Sequence, residues 1–422
     1  MTHTPPADGA TPTVSAVVRD TIDGAAAGLV RLSHQVHAAA ELGFAEHRSV
    51  GHVRDLLAAS GLDVEVGCHG QPTAFRAMAG SGMPRVAILA EYDALPGIGH
   101  GCGHNVICAT AVGAFLGLAP HIKGLGGSVV LLGTPAEENG SGKELMARAG
   151  AFDDVDAVLM LHPFAGPDIA DFTALGCRAV EVTYRGVPAH ASATPHMGRN
   201  ALDAVVAAYQ GLAALRQHMP QTDRVHAIIT EGGTAVNVVP ALARATVMLR
   251  SATVEGLLEL THRVQAILDG AAQVTGTVLE AAWDPVPPYL PVRTNTTLAG
   301  RYAAHVTARG RTVVHPDGLP SGGGGSTDLG NISLRVPAIH PMLGIAPAEA
   351  GMHTAAFAEH AAASPADRAV VDGAIGLALT AVDYLSDPVL RAAVAAEFAA
   401  AGGPVDVAAL LDTVATPAPS PA

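Results

Sequence analysis

The segment Glu91-Tyr92-Asp93-Ala94-Leu95-Pro96-Gly97-Ile98-Gly99-His100-Gly101-Cys102-Gly103-His104-Asn105 sets a carboxylate, a thiol and two imidazoles in one glycine-rich stretch behind an apolar run. Oxygen, sulfur and nitrogen donors so close in sequence suit a divalent cation. A hydrolytic metal pair also needs further ligands, an open position for water and a carboxylate able to take that water's proton. The expected ligands are Cys102, His104, Glu138, His162 and the distant His353, with Glu137 as the base. Each has a bland alternative: Cys-Gly-His pairs arise by chance, glycine-rich loops are often only turns, and a lone histidine such as His353 is commonly a surface or core residue.

The elements that must position these residues are visible as three unalternated apolar runs. Residues 86–90 lead into Asp93, Cys102 and His104; residues 129–132 lead into Glu137 and Glu138; residues 157–161 lead into His162. Such runs suit strands buried on both faces of a parallel sheet, and ligands of such sheets gather beyond the carboxyl ends. Adjacent acids cannot point the same way, so Glu138 can face a metal while Glu137 faces water.

Strands and helices alternate to about residue 175, with helices expected at 105–118 and 142–149. The pattern then changes to an alternating strand at 178–184, a helix at 201–215, strands at 225–231 and 244–250, a helix at 254–268 and a strand at 277–282. That order is βαββαβ, the ferredoxin-like arrangement. The expected fold is therefore α/β, a mixed, mostly parallel-sheet catalytic domain made of residues 1–176 and 293–422, with an inserted ferredoxin-like lid at 177–292. Hinges belong near Gly176 and Pro291, and a long alanine-rich helix at 367–384 follows.

Composition bounds the rest. With 422 residues, 49% hydrophobic and 15% charged, the chain can bury two real cores. A net charge of −14 without a basic cluster excludes nucleic acid and anionic membranes as expected partners and favours small molecules. Four scattered cysteines make no disulfide framework, and a thiolate ligand at Cys102 needs reducing conditions. That requirement points to the cytoplasm, and no signal peptide or stretch of transmembrane length is evident. Both termini, including the proline-rich tail from Thr416, read as disordered.

Taken together, Glu91-Tyr92-Asp93-Ala94-Leu95-Pro96, His100-Gly101-Cys102-Gly103-His104-Asn105, Pro135-Ala136-Glu137-Glu138, His162-Pro163, Pro188-Ala189-His190-Ala191 and Asn237-Val238-Val239-Pro240 resemble the M20 metallopeptidases. The resemblance is specifically to the M20D amidohydrolases, in the branch of the M20 domain-containing protein 2 dipeptidases and p-aminobenzoyl-glutamate hydrolase, and runs from about residue 30 to 385. It implies a zinc-exopeptidase-like catalytic domain, two metal ions on the same five ligands, Glu137 as general base and a dimer formed through the lid. More distant members carry His-x-Asp where this chain has Glu91-Tyr92-Asp93, so Asp93 matches an orienting acid while that histidine ligand is absent. The resemblance makes His190 the lid histidine that hydrogen-bonds the substrate oxyanion, within its own subunit or across a dimer, and Asn237 a substrate contact.

Weaker candidates follow from residue chemistry. Arg250, ending a lid strand, could clamp a substrate carboxylate, with a surface ion pair as the alternative. The loop Ser321-Gly322-Gly323-Gly324-Gly325-Ser326-Thr327-Asp328 could close over the substrate with Asp328 lining the pocket, or be a plain linker. His34, His37 and Glu41 share a helical face and read as packing and capping residues rather than ligands. The expected activity is hydrolysis of an amide bond in a small N-acyl amino acid, aminoacyl-aryl amide or dipeptide; the ions are most simply Zn²⁺, with Mn²⁺ or Co²⁺ open. A catalytically inactive ligand-binding or assembly protein on the same scaffold is the alternative. A zinc oxidoreductase ranks last, since no Gly-x-Gly-x-x-Gly follows a strand.

Overall fold

The structure is a computed structural model that describes residues 13–314 and 325–410; both termini, and residues 321–324 of the glycine-rich loop, lie outside the described residues. Its central sheet runs in the order Glu65–Val66, Phe75–Ser81, Gly127–Gly133, Arg85–Ala90, Ala157–Leu159, Ala338–Ile339. The first two pairings are antiparallel and the remaining three parallel. Alternation is present in the apolar runs but hidden, because both faces are dry. Val86, Ile88 and Ala90 join one apolar cluster with the helices Val14–Ala39, His104–Leu118 and Ser364–Ser386, whereas Ala87 and Leu89 join another with Met146 and Phe152. A polar residue at either face would forgo about 1.5–3 kcal/mol of burial.

The third run breaks differently from expectation. Residues Ala157–Leu159 end the central strand, and a second strand, His162–Ala165, opens at once in a small sheet ordered Val313–Val314, Asp168–Ile169, Met342–Ala346, His162–Ala165. His162 is therefore held by strand pairing, its N–H donating to Pro341 O at 2.9 Å, rather than by a loop. Pro163 lacks an N–H to offer, which the edge position of this strand tolerates.

The ferredoxin-like unit forms as expected: Gly176–Arg185, Ala201–Leu215, Arg224–Glu231, Leu242–Ser251, Val254–Thr275 and Val278–Trp283. Its antiparallel sheet runs Val278–Trp283, Gly176–Arg185, Leu242–Ser251, Arg224–Glu231. Asn200 and Thr253 cap the two helices through their side-chain oxygens. The second helix continues past 268 because nothing in Gly270–Thr275 stops it until Gly276 takes a left-handed turn at φ 65°. Both helices pack on one face of the sheet around Val180, Val182, Tyr184 and Val247, a core separate from that of the central sheet. The strands entering and leaving the unit lie side by side, Cys177 and Tyr289 exchanging backbone hydrogen bonds of 2.7 and 3.0 Å.

One expectation needs correction. Among the described residues, two helical stretches, His104–Gly124 and Ser364–Ser386, are long and apolar enough by length and composition to cross a membrane. Their apolar windows are 83% and 78% buried inside the protein, which is what core helices packed against each other require.

Candidate metal centre

The five expected ligands arrive on four pieces of backbone, Cys102 and His104 sharing one loop. Gly103 caps the helix that starts at His104, with a left-handed φ of 76°; a Cβ there would sit 2.6 Å from Pro163. Glycine thus lets the Cys102–His104 loop close against His162-Pro163. Ala136, also left-handed at φ 56°, turns the chain into the short helix Glu137–Gly140, so the two acids diverge from a helix start rather than a strand end. His353 adopts φ 62° and donates its N–H to Gly101 O at 2.8 Å, tying a remote segment to the cysteine loop. A non-glycine residue in this region costs of order 1–3 kcal/mol, and such outliers cluster at functional sites.

The donor atoms converge. Cys102, His104 and His162 form one group with all donor atoms within 4.8 Å of one another, Cys102, Glu138 and His353 a second, and His104, Glu137 and Glu138 a third. Cys102 Sγ lies 3.4 Å from His162 Nε2, and His353 Nε2 lies 3.6 Å from Glu138 Oε1. Asp93 organises the assembly without joining these groups: Oδ1 meets His104 Nδ1 at 2.9 Å and Oδ2 accepts from the Glu138 N–H at 3.0 Å. His162 Nδ1 is engaged by Pro163 O at 2.7 Å, which turns Nε2 toward Cys102.

These residues fit a cation. Glu91 Oε2, His104 Nε2 and Glu138 Oε1 are buried without a hydrogen-bond partner, each such atom ordinarily costing about 1–3 kcal/mol. Burial and the Glu91 and Glu138 carboxylates push Glu137 well above the usual carboxylate range. Burial alone would lower His104, but Asp93 and Glu91 outweigh it and hold the imidazole well above its ordinary value. Burial pushes the Cys102 thiol up as well, against the pull of His104. Protons are thus retained where a bound cation would displace them.

A cavity of about 530 Å³ opens over this cluster. Cys102, Glu137, Glu138, His162 and His353 form its polar floor; Phe164, Phe172, Met248, Val286, Met342 and Met352 supply apolar wall. Arg250 lines it from the lid, donating to Ser326 Oγ at 2.6 Å and making no ion pair among the described residues. The Tyr289 hydroxyl donates to the Glu137 carbonyl, pinning the backbone of the expected base from the crossing segment.

Other expectations are redistributed. Asp328 does not line the cavity: it is fully buried, takes the Lys143 ammonium at 2.6 Å and the Lys143 N–H at 2.9 Å, and so serves the floor from beneath. A carboxylate so committed has nothing left for a substrate, whereas its neighbours Ser326 and Thr327 do face the cavity. His190 and Asn237 sit together on the lid, Ala191 N donating to Asn237 O at 3.0 Å, but both are exposed and neither lines the cavity of its own chain. His34 meets Asp367 at 2.7 Å, His37 meets Ala358 O at 2.8 Å, and Glu41 caps the helix His47–Ala59 through the Arg48 and Ser49 N–H groups, as packing and capping residues should.

Sequence reasoning missed Glu91, Lys143 and His340. Lys143 is fully buried and bound to both Glu91 and Asp328. His340 follows the strand Ala338–Ile339, lines the cavity and has neither ring nitrogen partnered; burial, with Lys143 and His104 nearby, pushes it down to about 3, so it is neutral. The strand-end rule that found Glu137 would have found His340 if the short apolar step before it had been counted as a strand.

Residues 174–275 match the peptidase dimerisation domain of the M20 family. The chain is 37% identical over 398 residues to the Xaa-Arg dipeptidase of Mus musculus, covering 90% of each protein. It is 35% identical over 298 residues to one of the p-aminobenzoyl-glutamate hydrolase polypeptides of Escherichia coli strain K12, covering 66% of this chain and 62% of that one. In fold it is similar to a dinuclear metal-binding peptidase of the M20 family from Bacillus subtilis, with a TM-score of 0.67 at 21% identity over 86% of this chain and 99% of that one. The chain belongs to the M20 family of metallopeptidases and is a hydrolase of amide or peptide bonds.

Proposed function

We propose that the protein cleaves the amide bond of a small N-acyl amino acid, aminoacyl-aryl amide or dipeptide, using two divalent ions held by Cys102, His104, Glu138, His162 and His353. The observation that carries the reading is the set of buried, unpartnered donors gathered around Cys102. Thiolate and imidazole donors favour zinc, and the carboxylates also admit manganese or cobalt. The names of the relatives, a dipeptidase and an aminobenzoyl-glutamate hydrolase, agree with a small amide substrate.

Bound there, the ions would polarise the scissile carbonyl and acidify water. The chain's own residues do the rest. Glu137, buried beside the donor cluster, takes the proton of the attacking water and passes it to the leaving nitrogen. Arg250 receives a carboxylate of the substrate, and the apolar wall receives its body. Asp93 orients His104, and Tyr289 fixes the Glu137 backbone.

His190 and Asn237, which do not line the cavity of their own chain, would serve the site of a second copy, with His190 stabilising the oxyanion. A homodimer through the lid is supported by its open sheet edge, the strand Arg224–Glu231, where Ile228 and Ile229 are 65% and 41% exposed. The catalytic part would comprise residues 1–176 and 293–422, the lid residues 177–292, and the location would be the cytoplasm, where Cys102 stays reduced.

A screen of N-acyl amino acids, aryl amides and dipeptides against metal-free protein resupplied with Zn²⁺, Mn²⁺ or Co²⁺ tests the reading. Turnover of at least one class with at least one metal is expected. Metal binding with no hydrolysis across the whole panel would favour the inactive binding protein instead.

A further inference from the structure

The surroundings of Glu91 give its two oxygens different tasks. The residue follows directly on the strand Arg85–Ala90 and is fully buried. Oε1 accepts from the Lys143 ammonium, which is itself held by Asp328, so the carboxylate cannot swing away. Oε2 has no hydrogen-bond partner and lies 3.4 Å from His104 Nε2, which also has none. Because His104 Nδ1 is committed to the Asp93 carboxylate at 2.9 Å, the atom of the ring left to meet a cation is Nε2.

Glu91 Oε2 and His104 Nε2 thus face one another at a separation beyond the usual N–H···O range of about 2.7–3.2 Å. Two ligands on one tetrahedral ion, with bonds of about 2.0–2.2 Å, stand about 3.3–3.6 Å apart. Of the carboxylates around Nε2, Glu91 is the nearest: Glu138 Oε1 is 3.8 Å away and Glu137 Oε2 is 3.9 Å away.

We propose that Glu91 Oε2 is an additional ligand to the ion that His104 binds, aimed there by the buried Lys143–Asp328 pair. The inference rests on the metal-centre reading above. In this chain the motif Glu91-Tyr92-Asp93 then supplies both a ligand and, through Asp93, the group that orients a second ligand. Lys143 is a positioning residue, a fixed internal cation that offsets part of the negative charge gathered by Glu91, Glu137 and Asp328, whose oxygens lie within 4.8 Å of one another.

Co²⁺ alone, titrated into metal-free wild-type protein and Glu91→Gln, tests this by stoichiometry and visible absorption. Wild type should bind two ions; the variant should bind one of them at least about tenfold more weakly, with a changed absorption spectrum for that ion. Should Glu91→Gln fail to fold, Glu91→Gln/Lys143→Met removes the charge pair together and should show the same loss. Two ions bound with unchanged affinity and spectrum in either variant would overturn the assignment of Glu91 alone. Wild type that binds no ion would overturn the metal-centre reading itself.

Discussion

The floor of the cavity and its lid are built on opposite plans. The floor is charged and is backed by buried residues of the same chain: Asp93 fixes His104, and Lys143 is held between Glu91 and Asp328, while Glu91 Oε2 and His104 Nε2 stay unpartnered. The lid brings Arg250 to the cavity but leaves His190 and Asn237 exposed and away from it. Groups that handle protons and cations gain strength from a low-dielectric, preorganised setting, whereas groups that meet the substrate last can be delivered by a moving or separate part. The contrast makes the floor the seat of chemistry and the lid the seat of recognition.

The sharpest way to break that contrast is at Glu137. Glu137→Gln should lower kcat by about 10³-fold while metal content stays at the wild-type level. Retained turnover, measured with any substrate found in the screen, would move the base elsewhere.

Next in size is His190→Ala, expected to cost about 10²-fold in kcat if the residue serves the oxyanion. Mixing this variant with Glu137→Gln distinguishes the two plans. In a hybrid dimer one site keeps its own Glu137 and receives an intact His190 from the other chain, so activity should return on mixing. No recovery in hybrids verified by mass would place His190 in its own subunit's service or outside catalysis.

Arg250→Ala should act mainly on KM, raising it by about 10- to 100-fold for carboxylate-bearing substrates, the equivalent of about 1.5–3 kcal/mol for a charge-assisted hydrogen bond. An amide derivative of the same substrate should lose little, which separates carboxylate recognition from lost packing.

The smallest effect concerns stability. Burial alone would raise Glu144, but hydrogen bonds from Arg335 and Arg148 outweigh it and hold the carboxyl below its ordinary 4.5. A depressed carboxyl stabilises the fold above its unfolded pKa, and that contribution disappears as pH falls through the folded value. Glu144→Gln should therefore cost about 1–2 kcal/mol near neutrality, since both arginines reach solvent. The deficit should shrink once the pH drops below about 4.5, as followed by thermal unfolding of both proteins.

The same division explains what could be read from the sequence. Cys102, His104, Glu137 and Glu138 were legible because apolar runs end at them, and a buried parallel sheet turns that pattern into a place. The ferredoxin-like order was legible because half-exposed strands alternate visibly, as Gly176–Arg185 does. His162 was found for a partly wrong reason, since its strand turns away into a second sheet after two residues. Asp328 was misread because a serine- and glycine-rich neighbourhood looks like surface, whereas its carboxylate is committed to a lysine remote in sequence. Pairings such as Lys143 with Glu91 depend on which strand ends become neighbours, and residue types alone do not fix that. The task of His190 depends on a second chain, which no local pattern encodes.

The central claim is that the two donor groups that share Cys102 would hold two ions. Anomalous diffraction at the zinc edge, from crystals of zinc-loaded protein, tests it most directly. Two peaks are expected, one among Cys102, His104 and His162 and one among Cys102, Glu138 and His353. A single peak, or peaks that leave Cys102 unbound, would contradict the account.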